Sequence, residues 1–393
     1  IYSGSGIAFK LLLALAQRFP APKLKTPEFS SFVRHGIVMA ALATVADVVP
    51  LRGHNRELVR QALGLFETVD WPGLKQLFKA SGIGAQSTAE DLAFQVIPRL
   101  NAAQRYEKGE LVWELFNARN DTDASELCDR LTQINNERKK HQAEMTQMAL
   151  GRLEREYASA SPPPAIILTG DEWLPGISGL IASRLMEKYH RPAVVICIKE
   201  GMGLASCRSP EGYHLKAALD ECAVMLIGYG GHRLAAGFRL EPGNIETFKQ
   251  HFGAIIGRQY EEFRKSNALS PKLLITDELF WSELDDTFLE ELQKLEPHGH
   301  DNPRPLFACR GVHIEGQPTY MGAGAEHVSL NLATPGRQTM RAVGFNMAKE
   351  IKDLKGSRRI DIVFHFVKDR YRRRPQLLLK AVRPVAPTQS LVG

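Results

Sequence analysis

Residues 228–238 read Gly228-Tyr229-Gly230-Gly231-His232-Arg233-Leu234-Ala235-Ala236-Gly237-Phe238. Paired glycines let backbone N–H groups come close to a phosphate, and the histidine that follows can donate a hydrogen bond to it or pass a proton. Arg233 adds a fixed positive charge, and the small residues 235–237 allow the segment to pack tightly against a sheet. A tight turn with a hydrogen-bonded histidine is the plainer reading of Gly-Gly-His taken alone.

Working outward, residues 165–169 read as a buried strand, 175–189 as a helix with proline in its first turn, and 193–198 as a second strand. This is a βαβ unit, which predicts parallel pairing and a right-handed crossover. Residues 204–207 and 238–240 offer further strands. A boundary at Ser161-Pro162-Pro163-Pro164 precedes them. Upstream of it, residues 121–158 carry Leu127, Leu131, Ile134, Met145, Met148 and Leu153 at helical intervals, with neither Gly nor Pro from 121 to 150. A long charged helix bridging two lobes is expected.

Nearer the N-terminus, residues 31–43 form an Ala- and Val-rich helix, followed by a β-branched run from 44 to 51. Asn55 is a candidate N-cap for a helix over residues 56–68. After about residue 270 the pattern shifts to alternating strands such as 360–367 and 376–382, as in a small β-barrel or sandwich. Phe364 and Phe366 alternate into its core.

At 393 residues the chain is too long for one core, and two or three domains are expected. Cys128, Cys197, Cys207, Cys222 and Cys309 are scattered without a Cys-x-x-Cys pair, which predicts reduced thiols, no structural zinc and a cytoplasmic location. No apolar run approaches a membrane span of roughly 18 residues, and the opening residues do not form a leader. The chain opens on Ile1, not Met, which predicts further sequence upstream. There is no P-loop, no nucleophile elbow and no His-Glu-x-x-His pair.

The net charge is +6, but residues 337–383 hold 14 Lys and Arg against 4 Asp and Glu, leaving the remainder at −4. That asymmetry points to a polyanion engaged by the C-terminal part, with a solvated basic surface as the alternative. Tyr371, set among Lys368, Arg370 and residues 372–374, is the candidate for stacking on bases while the cations neutralise the backbone.

Asp47 lies in Ala43-Thr44-Val45-Ala46-Asp47-Val48-Val49-Pro50, a carboxylate embedded in apolar sequence. Such a charge is costly to bury unless it is paired, hydrogen-bonded or metal-bound; a cap or turn is the plainer role. Arginines stand in Pro98-Arg99-Leu100-Asn101-Ala102-Ala103-Gln104-Arg105 and in Ser206-Cys207-Arg208-Ser209. Singly, each suits a surface ion pair as well as a phosphate.

Together these segments, in this order, resemble the RecJ-type exonucleases of the DHH phosphoesterase family. The run at 228–238 resembles the DHHA1 signature, with Gly230, Gly231 and His232 as its phosphate-contacting residues. The run around Asp47 is similar to the family's fourth metal-ligand motif. Residues 98–105 resemble its Pro-Arg-Ile/Leu-Asn-Ala-Ala-Gly-Arg loop, carrying Arg99, Asn101 and Arg105. Ser206, Arg208 and Ser209 match the Ser-x-Arg-Ser segment that grips the 5′ end. Glu172-Trp173 with residues 176–185 resembles the opening of the second lobe, and residues 295–307 resemble the linker into an OB-fold. Gln104 replaces a glycine of the pattern, His298 a phenylalanine, and Leu174 a histidine found in many relatives.

The resemblance implies an α/β chain: the C-terminal part of a DHH domain over residues 1–118, a connecting helix over 119–160, a DHHA1 domain over 161–268 and an OB-fold over 269–393. It implies 5′ to 3′ hydrolysis of single-stranded DNA by two Mn²⁺ or Mg²⁺ ions, with Asp47 as one metal ligand and Asp47 and His232 as catalytic residues. The ions would polarise the phosphate and generate the attacking hydroxide. It also implies single-strand-binding protein and a RecQ-type helicase as partners, and no membrane. The family's first three motifs, which supply the Asp-His-His triplet, are absent, and one aspartate cannot assemble a two-metal site. Two rival readings remain: a non-catalytic nucleic-acid-binding scaffold, and a hydrolase of small dinucleotides, which needs no basic tail.

Overall fold

The computed structural model describes residues 1–19, 25–157, 163–265, 273–334, 336, 338–354, 356–369 and 372–385. Two compact units share the chain without following its linear order. One comprises Ile1–Val69, Gly84–Ala93 and Lys272–Gly393; the other comprises Asp70–Ile83 and Phe94–Pro271.

The second unit is built on five strands: β1 (Ile166–Gly170), β2 (Ala193–Lys199), β3 (Met202–Arg208), β4 (Gly228–Gly231) and β5 (Ala235–Leu240). Their order is β1-β2-β3-β5-β4, with β1 and β2 parallel, as the βαβ pattern predicts, and the remaining pairs antiparallel. A strand buried on both faces reads as continuous apolar sequence, and β2 does so. Val194 and Ile196 point into a core completed by Tyr213, Phe248, Phe252 and Ile256. Val195 and Cys197 point into the opposite core, with Trp173 and with Ile177, Ile181 and Leu185 of the helix Pro175–Tyr189. That second core also takes Met145, Ala149 and Leu153 from the helix Asp121–Glu156, so the long helix packs within this unit. The helix runs 36 residues and is N-capped by Asn120, whose Oδ1 accepts from the Asp123 amide. Residues 158–160 of the expected helix lie outside the described residues, as do Ser161 and Pro162.

The first unit carries a closed barrel. After the short β6 (Asp277–Glu278) come β7 (Phe307–Met321), β8 (His327–Ala333), β9 (Met340–Gly344), β10 (Arg359–Lys368) and β11 (Pro375–Pro384). The order β10-β11-β9-β8-β7 closes because β7 also pairs with β10, giving the five-stranded barrel of an OB-fold and removing the open edges. Strand β10 alternates as expected: Ile360, Ile362, Phe364 and Phe366 are all buried in the barrel core.

The same unit holds the helices Gly4–Ala16, Pro27–Ala46 and Gly53–Leu63. The Leu51 amide donates to the His300 carbonyl at 2.8 Å, and Arg56 donates to the carbonyls of Lys294 and Glu296. Three local expectations change here. Residues 44–46, the start of the expected β-branched run, finish the preceding helix, where Ala40 and Ala41 pack at zero exposure. Asn55 is not an N-cap: it lies inside the helix, buried, and donates to the Ile1 and Pro50 carbonyls. Finally, Pro27–Ala46 is 20 residues long with a mean hydropathy of 1.4, so one helix does reach membrane-spanning length and composition. By those measures alone it is indistinguishable from a core helix.

Candidate nucleic-acid interface

The glycines quoted first form a strand, not a turn. In β4, Gly230 pairs with Gly237 of β5, and Gly237 pairs with Ser206 of β3, so a glycine floor without side chains runs beside the Ser206 hydroxyl. The turn comes immediately afterwards, where the His232 amide donates to the Ala235 carbonyl at 2.7 Å. Gly231, at φ 143°, opens it, and a β-carbon there would lie 2.4 Å from the Ala236 Cα. Gly230, Gly231 and His232 are all exposed. Arg233 is exposed and donates from Nε to the Tyr213 carbonyl at 3.1 Å.

Beside this floor stands the N-terminal turn of the helix Pro175–Tyr189. Pro175 and Ser178 of that turn, Ser206, Gly228, Tyr229, Gly230, Gly237 and Arg239 line a cleft of about 550 Å³. The hydroxyls of Ser178 and Ser206 are 2.8 Å apart and share a hydrogen bond. Arg105 and Arg208 lie against the same turn from two directions. Arg105 Nη1 donates to the Gly176 carbonyl at 2.9 Å, while a β-carbon on Gly179 would sit 2.9 Å from an Arg208 guanidinium nitrogen. Arg208 Nη1 donates to the Cys207 carbonyl at 2.8 Å.

Burial and then the charges of Arg138 and Arg208 push the Arg105 pKa down; burial does the same for Arg208. Both remain cations, since guanidinium titrates far above neutrality. Their acceptors are neutral carbonyls, so their charge is oriented but not cancelled. Elsewhere in this unit arginines pair with carboxylates, as in Arg152 with Glu172, Arg184 with Glu187 and Arg258 with Glu221. An oriented, uncompensated guanidinium pair beside two hydroxyls suits a phosphate group.

The other expected residues fall as follows. Ser209 is buried, with its amide donating to the Leu234 carbonyl and its hydroxyl to the Pro210 carbonyl, so it braces the loop. Arg99 is directed to the carbonyls of Ala80 and Gln95 and the Thr132 hydroxyl. Asn101 is exposed on the helix Ile97–Arg105. Asp47 is exposed, not buried, because the helix Pro27–Ala46 ends there and residue 48 turns outward at φ 53°. Among the described residues no group of three His, Cys, Asp or Glu is placed to hold an ion, so this donor set does not fit a metal pair. All five cysteines are buried and unpaired.

In the first unit Tyr371 lies outside the described residues. Part of the basic excess is neutralised internally: Arg341 pairs with Asp369 at 3.1 Å and Arg383 with Asp361 at 2.9 Å. Arg372, Arg373 and Arg374 remain exposed. Two aromatic surfaces went unnoticed in the sequence. Phe345 is 60% exposed, edge-on to His327, and Tyr320 carries the Lys352 ammonium 5.0 Å above its ring. Only their position at strand ends distinguishes them from core aromatics.

Comparison with known proteins adds two domains. Residues 163–258 match the DHHA1 domain and residues 275–382 match the RecJ OB domain. The chain is 30% identical over 384 residues to the single-stranded-DNA-specific exonuclease RecJ of Bacillus subtilis, covering 96% of this chain and 46% of that protein. To the protein of the same name from Thermus thermophilus it is 31% identical over 332 residues, covering 84% and 45%. Among solved structures, RecJ from Thermus thermophilus in complex with Mg²⁺ superposes with a TM-score of 0.73 at 26% identity, over 90% of this chain and 53% of that one. The exonuclease RecJ bound to manganese gives a TM-score of 0.53 at 31% identity, covering 65% and 62%. The chain thus spans about half the length of the first two curated relatives.

Proposed function

The chain belongs to the RecJ family, and from that premise we propose that it is the strand-gripping part of an exonuclease that degrades single-stranded DNA from its 5′ end, in recombination and repair. The observation that carries this reading is the Arg105 and Arg208 pair on the first turn of one helix, each held by a neutral carbonyl. In this reading the two guanidinia clamp the terminal phosphate and the Ser178 and Ser206 hydroxyls complete its shell. His232 contacts the next phosphate from the turn after β4, and the glycine floor lets the backbone approach. The barrel of the first unit neutralises the following nucleotides, through residues such as Arg372 to Arg374.

Divalent Mn²⁺ or Mg²⁺ would supply the activated hydroxide in the whole enzyme. Asp47 is the one residue here that the family pattern assigns to that centre. We place the protein in the cytoplasm, with single-stranded DNA as its principal partner and single-strand-binding protein and a RecQ-type helicase as further ones. The exposure of Asp47 favours a second reading for this chain alone, a non-catalytic binding module.

Capture of 5′-labelled single strands tests the first reading. Arg208→Ala is expected to weaken binding about ten-fold, since a charged hydrogen bond of this kind is worth roughly 1.5–3 kcal/mol. The loss should be larger on 5′-phosphorylated than on 5′-hydroxyl strands; equal losses remove Arg208 from the 5′ pocket. With Mn²⁺ added, the chain should leave the strand intact, and degradation abolished by Asp47→Ala would overturn the second reading.

A further inference from the structure

The glycine floor runs on beyond Ser206 and ends at a cation. Residues paired across a sheet point to the same face. Gly230 pairs with Gly237 and Gly237 with Ser206; two residues further along, Gly228 pairs with Arg239 and Arg239 with Leu204. Leu204, Ser206, Arg239 and the glycines at 228, 230 and 237 therefore share one face, and all of them line the cleft beside Pro175 and Ser178. Ala205, Tyr229 and Phe238 turn to the core on the other face. Arg239 is exposed, and its guanidinium lies against Gly228, where a β-carbon would stand 3.5 Å from Nη2. Among the described residues it makes neither an ion pair nor a hydrogen bond, whereas Arg105 and Arg208 are each held by a carbonyl. All of its N–H donors are thus free to meet a ligand in the cleft.

From Ser206 to Leu204 the strand advances roughly 7 Å. A nucleotide whose 5′ phosphate meets Ser206 can therefore lay its base over Leu204 and the bare peptide groups of the floor, a flat surface that suits a planar ring. The edge of that base then faces Arg239. A guanidinium fork matches the paired O6 and N7 acceptors of guanine, while adenine sets a donor, its N6 amino group, beside N7. The two purines stack alike, so the edge decides between them. We propose that Arg239 reads the base of the 5′-terminal nucleotide and favours guanine over adenine there. This rests on the reading of the cleft as the 5′-end pocket and adds base preference, which phosphate contacts cannot supply.

Fluorescence anisotropy of the 393-residue chain with 5′-phosphorylated, 3′-labelled single strands tests this, the strands being identical except for dG or dA at the first position. The dG strand should bind about five-fold more tightly, the low end of what a two-pronged arginine–guanine contact discriminates. Moving the same substitution to the 3′ end should remove the difference. Arg239→Ala should melt as wild type does and erase the preference, chiefly by weakening the dG strand. Arg239→Gln should shift the preference toward dA, whose N6 and N7 match an amide. Equal wild-type affinity for the two strands would overturn the proposal, independently of any variant. So would an Arg239→Ala loss of equal size on both, which would make Arg239 a backbone contact. In either case a retained wild-type preference for 5′-phosphorylated over 5′-hydroxyl strands leaves the strand-gripping reading standing; if that preference is missing too, both fall.

Discussion

Arg105 and Gly176 hold each other in place. The arginine donates to the glycine's carbonyl at 2.9 Å, while a β-carbon on that glycine would lie 2.0 Å from the arginine's own carbonyl oxygen. The obstruction is backbone on both sides, so no side chain can swing away to relieve it. Gly176→Ala is therefore expected to destabilise the second unit by about 1–3 kcal/mol and to displace the Arg105 guanidinium. Thermal melting and single-strand binding should both suffer. Full binding in a folded Gly176→Ala protein would show that Arg105 works without this contact.

Gly231 and His232 separate backbone from side-chain roles within one turn. Gly231 has φ 143° and a β-carbon site 2.4 Å from the Ala236 Cα, so Gly231→Ala should cost about 1–3 kcal/mol of stability. His232 is exposed, and its amide makes the turn's hydrogen bond. His232→Ala should melt as wild type does yet bind single strands several-fold more weakly. Unchanged binding would return His232 to a purely structural turn.

Salt dependence apportions the basic excess of the barrel. Each single-strand phosphate contact contributes about −0.7 to the slope of log K against log salt. Arg341 and Arg383 are already paired with Asp369 and Asp361, so replacing either by Gln should leave the slope nearly unaltered. Replacing the exposed Arg372, Arg373 and Arg374 by Gln should flatten it by as much as about 2. A slope insensitive to all of them would move strand contact to the second unit.

His298 predicts an acid sensitivity. Burial first, then the Arg304 cation, lowers its pKa to about 4 from an ordinary 6.5, and its Nδ1 has no hydrogen-bond partner. Burial also lowers the pKa of His365. Between pH 6.5 and 4 the unfolded chain takes up a proton at residue 298 that the folded chain refuses, so stability falls as pH falls through that window. His298→Phe, the residue of the family pattern, should raise the melting temperature at pH 5 more than at pH 8. An equal shift at both would assign the effect to packing alone.

Periodicity and turn chemistry carried far in the second unit. The apolar run in β2, the helix beginning at Pro175 and the glycine-free stretch from 121 to 150 each gave the element observed, because a buried strand and an uninterrupted helix leave strong local patterns. Residues 44–46 and Asn55 misled for a shared reason: packing against neighbouring helices overrode β-branched propensity and capping preference. In the candidate site Arg105 and Arg208 were legible through the family pattern, but what makes them distinctive, neutral acceptors in place of carboxylates, is a matter of partners distant in sequence.

The union of the first helices with the barrel's leading segment bears on the order in which the protein is made. Leu51 meets His300, and Arg56 meets Lys294 and Glu296, across more than two hundred residues, most of which fold as the other unit. A chain emerging from the ribosome thus exposes Leu51, buried in the finished fold, long before the segment that covers it exists. The intervening sheet can complete itself first, on contacts much closer in sequence. Early termination ahead of the barrel would therefore strand the N-terminal helices without the segment they close upon, while leaving the arginine cluster of the inserted unit assembled.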